Sequence, residues 1–310
     1  MVKPTWVASL VAAHSALLGA CHSDTDLPSD PPKSLIKVTS GGFVSPGDAV
    51  ASPDGRDFFF TAYTDDADRL PAIWKTSSEP GSTASALASG DPLEAPIGLV
   101  MACDGAQLYI ADMGSDVGAV FSLSTGGGAV ADLGAANIVR PGGLAMGPDC
   151  KTLYATGRTD DGTPALFSLP VTGGSASIVW MGAPLASPTG LHVDDQGVAW
   201  VMDHRAFGDT GEGVLFAIPS DGSAATVVMD DLRMGTPGGV SLTAGGGTAV
   251  MPTRDHDGNA QITSVNIASG EMTQLAAPDM IDPAGLRTAR KAGVFAIVDS
   301  EGGAIYRADN

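Results

Sequence analysis

Short apolar runs follow one another along this chain from about residue 35 to its end, and Gly, Pro and Asp separate them. The run at residues 108–111 combines aromatic and branched side chains, which is typical of strands packed between sheets. No stretch of this body shows the periodicity of an amphipathic helix. The pattern therefore predicts an all-β fold made of many short strands.

The strands recur in six similar units. These units have their leading prolines at Pro46, Pro96, Pro141, Pro188, Pro237 and Pro283. Each unit continues with small residues, a short apolar run, a turn that is acidic in the first four units, an aromatic or branched run and a cluster of charges. A spacing of about 45 to 50 residues is that of a propeller blade. Four strands can be assigned in each unit, so we predict twisted, four-stranded antiparallel blades.

The two ends of the repeat region complement each other. The last unit stops after the run Ala304 to Arg307 and is one strand short, whereas the run from Leu35 to Val38 precedes the first unit without a hairpin partner. Pairing this N-terminal strand into the last blade removes both exposed sheet edges. The sequence thus predicts a six-bladed β-propeller over residues 35–310, closed by its N-terminal strand.

Composition adds a limit on partners. The chain has 44% hydrophobic residues, 41 Gly and 21 Pro, which suits a folded protein rich in turns. Its formal net charge is -19, and its pI is about 4.3. Such an acidic surface repels phosphate backbones, and the sequence has no basic stripe, so we expect no nucleic-acid partner. We also expect the folded body to be soluble and monomeric.

The first residues are typical of an export signal. One lysine precedes a mostly apolar run, and the run ends at Leu18, Gly19, Ala20 and Cys21. This tetrapeptide resembles the lipobox of bacterial lipoproteins, which implies cleavage before Cys21, lipidation of its thiol and anchoring in the cell envelope. Residues 22–34 are polar and Pro-rich, as in a linker. The alternative is a signal that is cut elsewhere, with Cys21 incidental.

The repeats resemble the six-bladed propeller superfamily that includes NHL-repeat, gluconolactonase-like and strictosidine synthase-like proteins. The gluconolactonase-like members imply a divalent metal on the propeller axis, held by residues on or just before the innermost strands. Asp48 is the only carboxylate at the matching positions here, and Ca²⁺ needs a larger oxygen cage. No counterpart of an axial catalytic glutamate is found either, so the resemblance predicts the architecture and not the lactonase site.

Charged residues cluster where the loops around one end of the propeller should meet, which we call the mouth. The candidate binding residues are Asp48, Asp112, Arg158, Asp203, His204, Arg205, Arg254, Asp255, His256 and Asp257. Two interpretations stay open, because Asp is favoured both at binding rims and in hairpin turns. Asp48, His204 and His256 are the candidates for a divalent metal, although their spacing matches no established metal motif.

Two further cysteines lie in the first hairpin turns of adjacent units. Cys103 and Cys150 should both project from the end opposite the mouth, where either a disulfide or two free thiols is compatible with the sequence. Together the patterns predict an exported, lipid-anchored scaffold that binds a small molecule or an envelope protein, without a cofactor. The alternative is a metal-dependent lactonase or esterase with a degenerate site.

Overall fold

The computed structural model describes residues 27–114, 116–205, 213–235 and 237–310. These residues form six antiparallel sheets arranged as the blades of a propeller. The prediction of a six-bladed β-propeller is confirmed. No helix in the described part of the chain could span a membrane. The predicted signal and its cysteine, Cys21, lie outside the described residues.

The blades contain four strands each, except that the innermost strand of blade 1 is divided into two pieces, which both pair with the second strand. The strands of blades 1 to 3 are β2 (Phe43–Val44), β3 (Ala49–Ala51), β4 (Asp57–Thr64), β5 (Pro71–Ser77) and β6 (Ser85–Ser89), then β7 (Pro96–Met101), β8 (Gln107–Asp112), β9 (Ala119–Ser124) and β10 (Ala131–Asp132), then β11 (Leu144–Met146), β12 (Thr152–Arg158), β13 (Pro164–Pro170) and β14 (Ser177–Met181). The strands of blades 4 to 6 are β15 (Pro188–Val193), β16 (Ala199–Asp203), β17 (Gly213–Ile218) and β18 (Thr226–Leu232), then β19 (Ser241–Leu242), β20 (Thr248–Arg254), β21 (Ala260–Asn266) and β22 (Met272–Ala276), then β23 (Pro283–Thr288), β24 (Val294–Asp299) and β25 (Ala304–Asp309).

The N-terminal strand closes the ring, as predicted. Strand β1 (Ser34–Ser40) pairs antiparallel with β25 as the outermost strand of blade 6. The register runs from Ser34 opposite Asp309 to Ser40 opposite Ala304, with one irregularity between Lys37 and Thr39. Because β1 covers one edge of β25 and β24 covers the other, β25 is paired on both sides.

The innermost strands define two faces. Each runs away from the mouth and ends in a tight turn, and the second strand then returns to the mouth. We call the face that carries these first hairpin turns the rear face. The loops before the first strand and after the second strand of every blade therefore surround the mouth, as the sequence predicted.

Apolar clusters fill the spaces between neighbouring blades. One position on the third strand contributes an aromatic side chain toward the preceding blade in blades 1, 2, 3, 4 and 6. These aromatic residues are Trp74, Phe121, Phe167, Phe216 and Tyr306. Blade 5 has Thr263 at this position, directly opposite Met251 on β20. The interface between blades 4 and 5 therefore lacks an aromatic ring at this position, although Trp200 of blade 4 lies in its cluster.

Residues 27–33 cross the rear face before β1 begins. The Gly245 N–H donates to the Pro28 carbonyl at 2.9 Å, and the Thr248 hydroxyl donates to the Ser29 carbonyl at 2.9 Å. A side chain on Gly245 would collide with Ser29 and with the carbonyl of Leu27, which explains why this turn of blade 5 needs glycine. The segment is thus held against the end of the propeller opposite the mouth.

Candidate functional site

At one level of the propeller axis, most of the innermost strands approach the next blade through their backbone. Five blades have glycine at the same place on or just before the innermost strand, and blade 1 has Asp48. These glycines are Gly98, Gly143, Gly190, Gly239 and Gly285. A Cβ atom on any of them would overlap backbone atoms of the next blade. Within the described residues, Asp48 therefore contributes the only side chain at this level of the axis.

The Asp48 carboxylate binds four donors from three blades. Its Oδ2 accepts the Leu99 N–H at 3.0 Å and two bonds from Arg287, through Nε at 3.1 Å and Nη2 at 2.9 Å. Its Oδ1 accepts the Ala49 N–H at 2.9 Å. Arg287 also donates through Nη1 to the Leu191 carbonyl at 2.6 Å. This buried ion pair consequently links blades 1, 2, 4 and 6.

This geometry does not fit the axial metal that the family resemblance implies. Burial raises the pKa of the Asp48 carboxyl, and the Arg287 guanidinium together with the backbone donors opposes that rise. Arg287 already donates two hydrogen bonds to Asp48 Oδ2, and the equivalent positions of the other blades are glycines, which offer no side-chain ligand. Among the described residues, no group of three or more His, Cys, Asp and Glu side chains could hold a metal ion. The axial residues therefore do not fit the metal that the resemblance implies.

A second ring of side chains lies two residues further along the innermost strands. Half of this ring is apolar and half is polar, and its members are Val50, Val100, Ala145, His192, Ser241 and Arg287. The Ser241 Oγ lies 3.4 Å from His192 Nδ1 and accepts the Thr288 N–H at 3.1 Å. Burial, with Arg287 and Arg290 nearby, lowers the pKa of His192 to about 3. His192 is therefore a neutral hydrogen-bonding group at physiological pH.

The low pKa of His192 predicts a pH-dependent contribution to stability. An unfolded histidine protonates near pH 6.5, whereas the folded ring stays neutral down to about pH 3, so the unfolded chain binds more protons between these values. Stability should consequently fall as the pH falls through this window. We expect His192→Gln to reduce that fall by roughly 1 kcal/mol per pH unit in denaturant titrations between about pH 6 and pH 4.

His256→Gln is the matched control for this prediction, because it changes an exposed histidine in the same way. The control should keep the wild-type pH dependence. If His192→Gln and the wild type lose stability in parallel, the enclosure of His192 does not keep its ring neutral.

Three aspartates at the mouth are buried at the ends of second strands, and two of them are sequence-predicted candidates. They are Asp112, Asp203 and Asp299 in blades 2, 4 and 6. Each carboxylate accepts two backbone N–H groups from the loop that precedes the first strand of its own blade, at 2.8 to 3.0 Å. Each also accepts an N–H from the loop that follows it. These side chains thus hold two mouth loops together.

Two arginines, each in the preceding blade, bind the loops held by Asp203 and Asp299. Arg158 Nη2 in blade 3 donates to the Ala186 carbonyl at 3.0 Å, while the Ala186 N–H donates to Asp203 at 2.8 Å. Arg254 Nη2 in blade 5 donates to the Ile281 carbonyl at 2.5 Å and to Asp282 at 2.9 Å. Each clamped peptide is therefore held on both sides, and neighbouring blades are fixed to each other at the mouth.

The remaining mouth candidates lie in two neighbouring loops. His204 Nε2 donates to the Pro237 carbonyl at 2.6 Å, and Arg205 is exposed. Asp255 accepts the N–H groups of Asp257 and Asn259 within its own turn. His256 is exposed. No contact between described residues joins His204 with His256 or either of them with Asp48, so the structure does not assemble the three predicted metal candidates.

The rear face carries a covalent link between blades 2 and 3. Cys103 and Cys150 form a disulfide, with their Cα atoms 5.8 Å apart. Cys103 lies in the turn between β7 and β8, and Cys150 lies in the turn between β11 and β12. Of the two alternatives that the sequence left open, the structure has the bonded one.

Comparisons with known proteins support the fold and no finer assignment. No protein-family model matches the chain, and no curated protein resembles it significantly. One similar structure is a chain of a Nidogen/Laminin complex, with 17% identity, a TM-score of 0.61, and coverage of 78% of this chain and 85% of that chain. Another is TolB from Acinetobacter baumannii, with 14% identity and a TM-score of 0.58, covering 76% of this chain and 54% of that chain. A protein of unknown function from Bacteroides thetaiotaomicron has 12% identity and a TM-score of 0.62, covering 92% of this chain and 73% of its own.

Proposed function

We propose that this chain is an exported, lipid-anchored scaffold that binds a small molecule or an envelope protein at its mouth, on the side away from the membrane. The observation that carries the proposal is the position of residues 27–33. They are held on the rear face by blade 5 and by the Lys33 N–H, which donates to the Asp309 carbonyl at 2.7 Å. An anchor at the start of this segment leaves the mouth unobstructed.

The length of the intervening chain supports this orientation. Cys21 precedes Leu27 by about six residues, which span at most ~20 Å when fully extended. A lipid on Cys21 would therefore keep the rear face close to the membrane. The mouth, at the other end of the blades, would face the surrounding compartment.

The clamped loops support binding at the mouth. Asp112, Asp203 and Asp299 fix the rim from within their own blades, and Arg158 and Arg254 fix it between blades. A rim that is ordered before binding loses less conformational entropy when a partner arrives. One of the similar structures is a chain from a Nidogen/Laminin complex, in agreement with a scaffold role for this kind of fold.

The anchor and the orientation can be tested together in bacteria that express the full chain. We expect labelled palmitate to enter the wild type and Ser23→Ala, and not Cys21→Ser. One fluorophore is attached to Ala224→Cys, in a rear turn, and another to Asp160→Cys, at the mouth. A quencher bound to the lipid should quench the rear fluorophore at least about twice as strongly, since quenching requires proximity.

Binding at the mouth needs a second readout. A photo-crosslinking residue at Asp160 should give a discrete adduct in intact envelopes, whereas the same residue at Ala224 should not. Palmitate on Cys21→Ser would contradict the anchor, equal quenching at the two sites would contradict the orientation, and equal crosslinking would contradict the mouth as the binding surface.

A further inference from the structure

The space left by the missing aromatic ring of blade 5 is a cleft of about 290 Å³ between blades 4 and 5. Strand β18 forms one wall, and β20, β21 and β22 form the other. At its mouth end the two blades are joined by a backbone bridge between Arg233 and Arg254. Met272 and Gln274, on its outer edge, are exposed. The cleft thus opens at the side of the propeller, and the mouth residues Arg254, Asp255 and His256 line its mouth end.

A pair of threonine hydroxyls lies at the base of the cleft. Thr253 Oγ1 and Thr263 Oγ1 are 2.6 Å apart, and both residues are buried. The amide of Gln261 donates to Thr263 Oγ1 at 3.3 Å. The bond between the hydroxyls uses one of their two protons, and the other has no acceptor among the described residues. A buried donor without an acceptor is costly, so this site favours a molecule that brings one.

The walls favour an uncharged ring. Met229 and Met272 present thioethers, which make favourable contacts with aromatic edges. The charged lining residues are Asp230, Asp231, Asp255, Arg233 and Arg254, in which acidic groups outnumber basic ones and disfavour a carboxylate ligand. The outer strand β18 is irregular where it lines the cleft, with two register shifts against β17. Such bulges commonly redirect side chains beside binding sites.

We propose that this cleft binds a small, neutral aromatic molecule that carries a hydrogen-bond acceptor. Its ring takes the place that Trp74, Phe121, Phe167, Phe216 or Tyr306 occupies in the other blades, and its acceptor receives the spare hydroxyl proton of the Thr253 and Thr263 pair. The volume is sufficient, since a dry apolar cavity of about 150 Å³ already admits benzene. This site goes beyond the proposed scaffold role and does not depend on it.

The test uses the full chain and 4-methylphenol as the probe, with saturation-transfer NMR and calorimetry as readouts. We expect binding by the wild type and at least about tenfold weaker binding by Thr263→Phe, which restores the ring found in the other blades. Thr263→Val keeps the space but removes the hydroxyl, and should weaken binding about fivefold. Cyclohexanol, which lacks the flat ring, should bind the wild type less tightly than 4-methylphenol.

Thr273→Phe is the matched control, because it adds the same side chain to an exposed position of β22 that does not line the cleft. It should bind 4-methylphenol like the wild type. If Thr263→Phe does not fold, Thr263→Val and Thr253→Val still test the hydroxyl pair. No binding by the wild type, or equal binding by wild type and all Thr263 variants, would overturn the proposal.

Discussion

Replacing Arg287 with methionine should lower the free energy of unfolding by about 3 to 5 kcal/mol, because it leaves the Asp48 carboxylate buried without its counter-charge. Both side chains of this ion pair are at most 8% exposed. The loss also breaks the bond to the Leu191 carbonyl, which ties blade 6 to blade 4 across the axis. Equilibrium unfolding in denaturant, followed by far-ultraviolet circular dichroism, measures the change.

Arg307→Met provides the comparison for this prediction. Arg307 lies in the same blade and pairs with Asp309 at 2.8 Å, but its side chain is 25% exposed. Removing this accessible pair should cost no more than about 1 kcal/mol. A second comparison replaces both axial partners with residues found at the same positions in other blades, as in Asp48→Gly with Arg287→Val. This double variant should be more stable than Arg287→Met, and equal losses in Arg287→Met and Arg307→Met would contradict the assigned role of the axial pair.

The fold could be predicted from the sequence because the six blades repeat similar sequence features. Proline, glycine and an apolar run mark each innermost strand, and an acidic turn follows in the first four blades. The unpaired run near Leu35 indicated how the ring closes, and β1 pairs with β25 as expected. Repetition makes such a prediction secure, since an error in one unit is corrected by the other five.

The axial cluster was only partly visible in the sequence. Asp48 stands out among glycines at its position, but its partner Arg287 is 239 residues away along the chain. The available signal was a polar residue at a position where other repeats have Val or Ala, and His192 and Ser241 share it. Side chains two residues apart in a strand point to the same side, so the residues two positions after Asp48 and its equivalent glycines also face the axis. Comparing the repeats at that spacing would have found the ring.

The sequence alone could not separate the roles of the charged residues at the mouth. In some blades the charged residue lies one position further along the second strand than in others. Asp112, Asp203 and Asp299 end their strands one position earlier than Arg158 and Arg254 do. A shift of one residue in a strand turns the side chain to the other face. The aspartates therefore hold the loops of their own blades, and the arginines reach the next blade. The residue types alone, clustered at similar places, do not contain this distinction.

Removing the disulfide should have the second large effect. Cys103→Ser combined with Cys150→Ser is expected to lower the free energy of unfolding by about 4 kcal/mol, because the bond closes a long loop and so restricts the unfolded chain. The two cysteines are separated by 47 residues and belong to different blades. The bond thus opposes separation of blades 2 and 3 at the rear.

A reducing agent separates this effect from local damage by the substitutions. Reduction should destabilise the wild type by nearly the same amount as the double substitution and should leave the double variant unchanged. If the double variant is less stable but reduction of the wild type has no effect, the serines disturb packing against Ala102 and Val171 and the bond itself contributes little. If the expected result holds, the ring depends on its rear disulfide and its axial ion pair in different ways. The disulfide restricts the unfolded chain, whereas the ion pair holds blades together in the folded state.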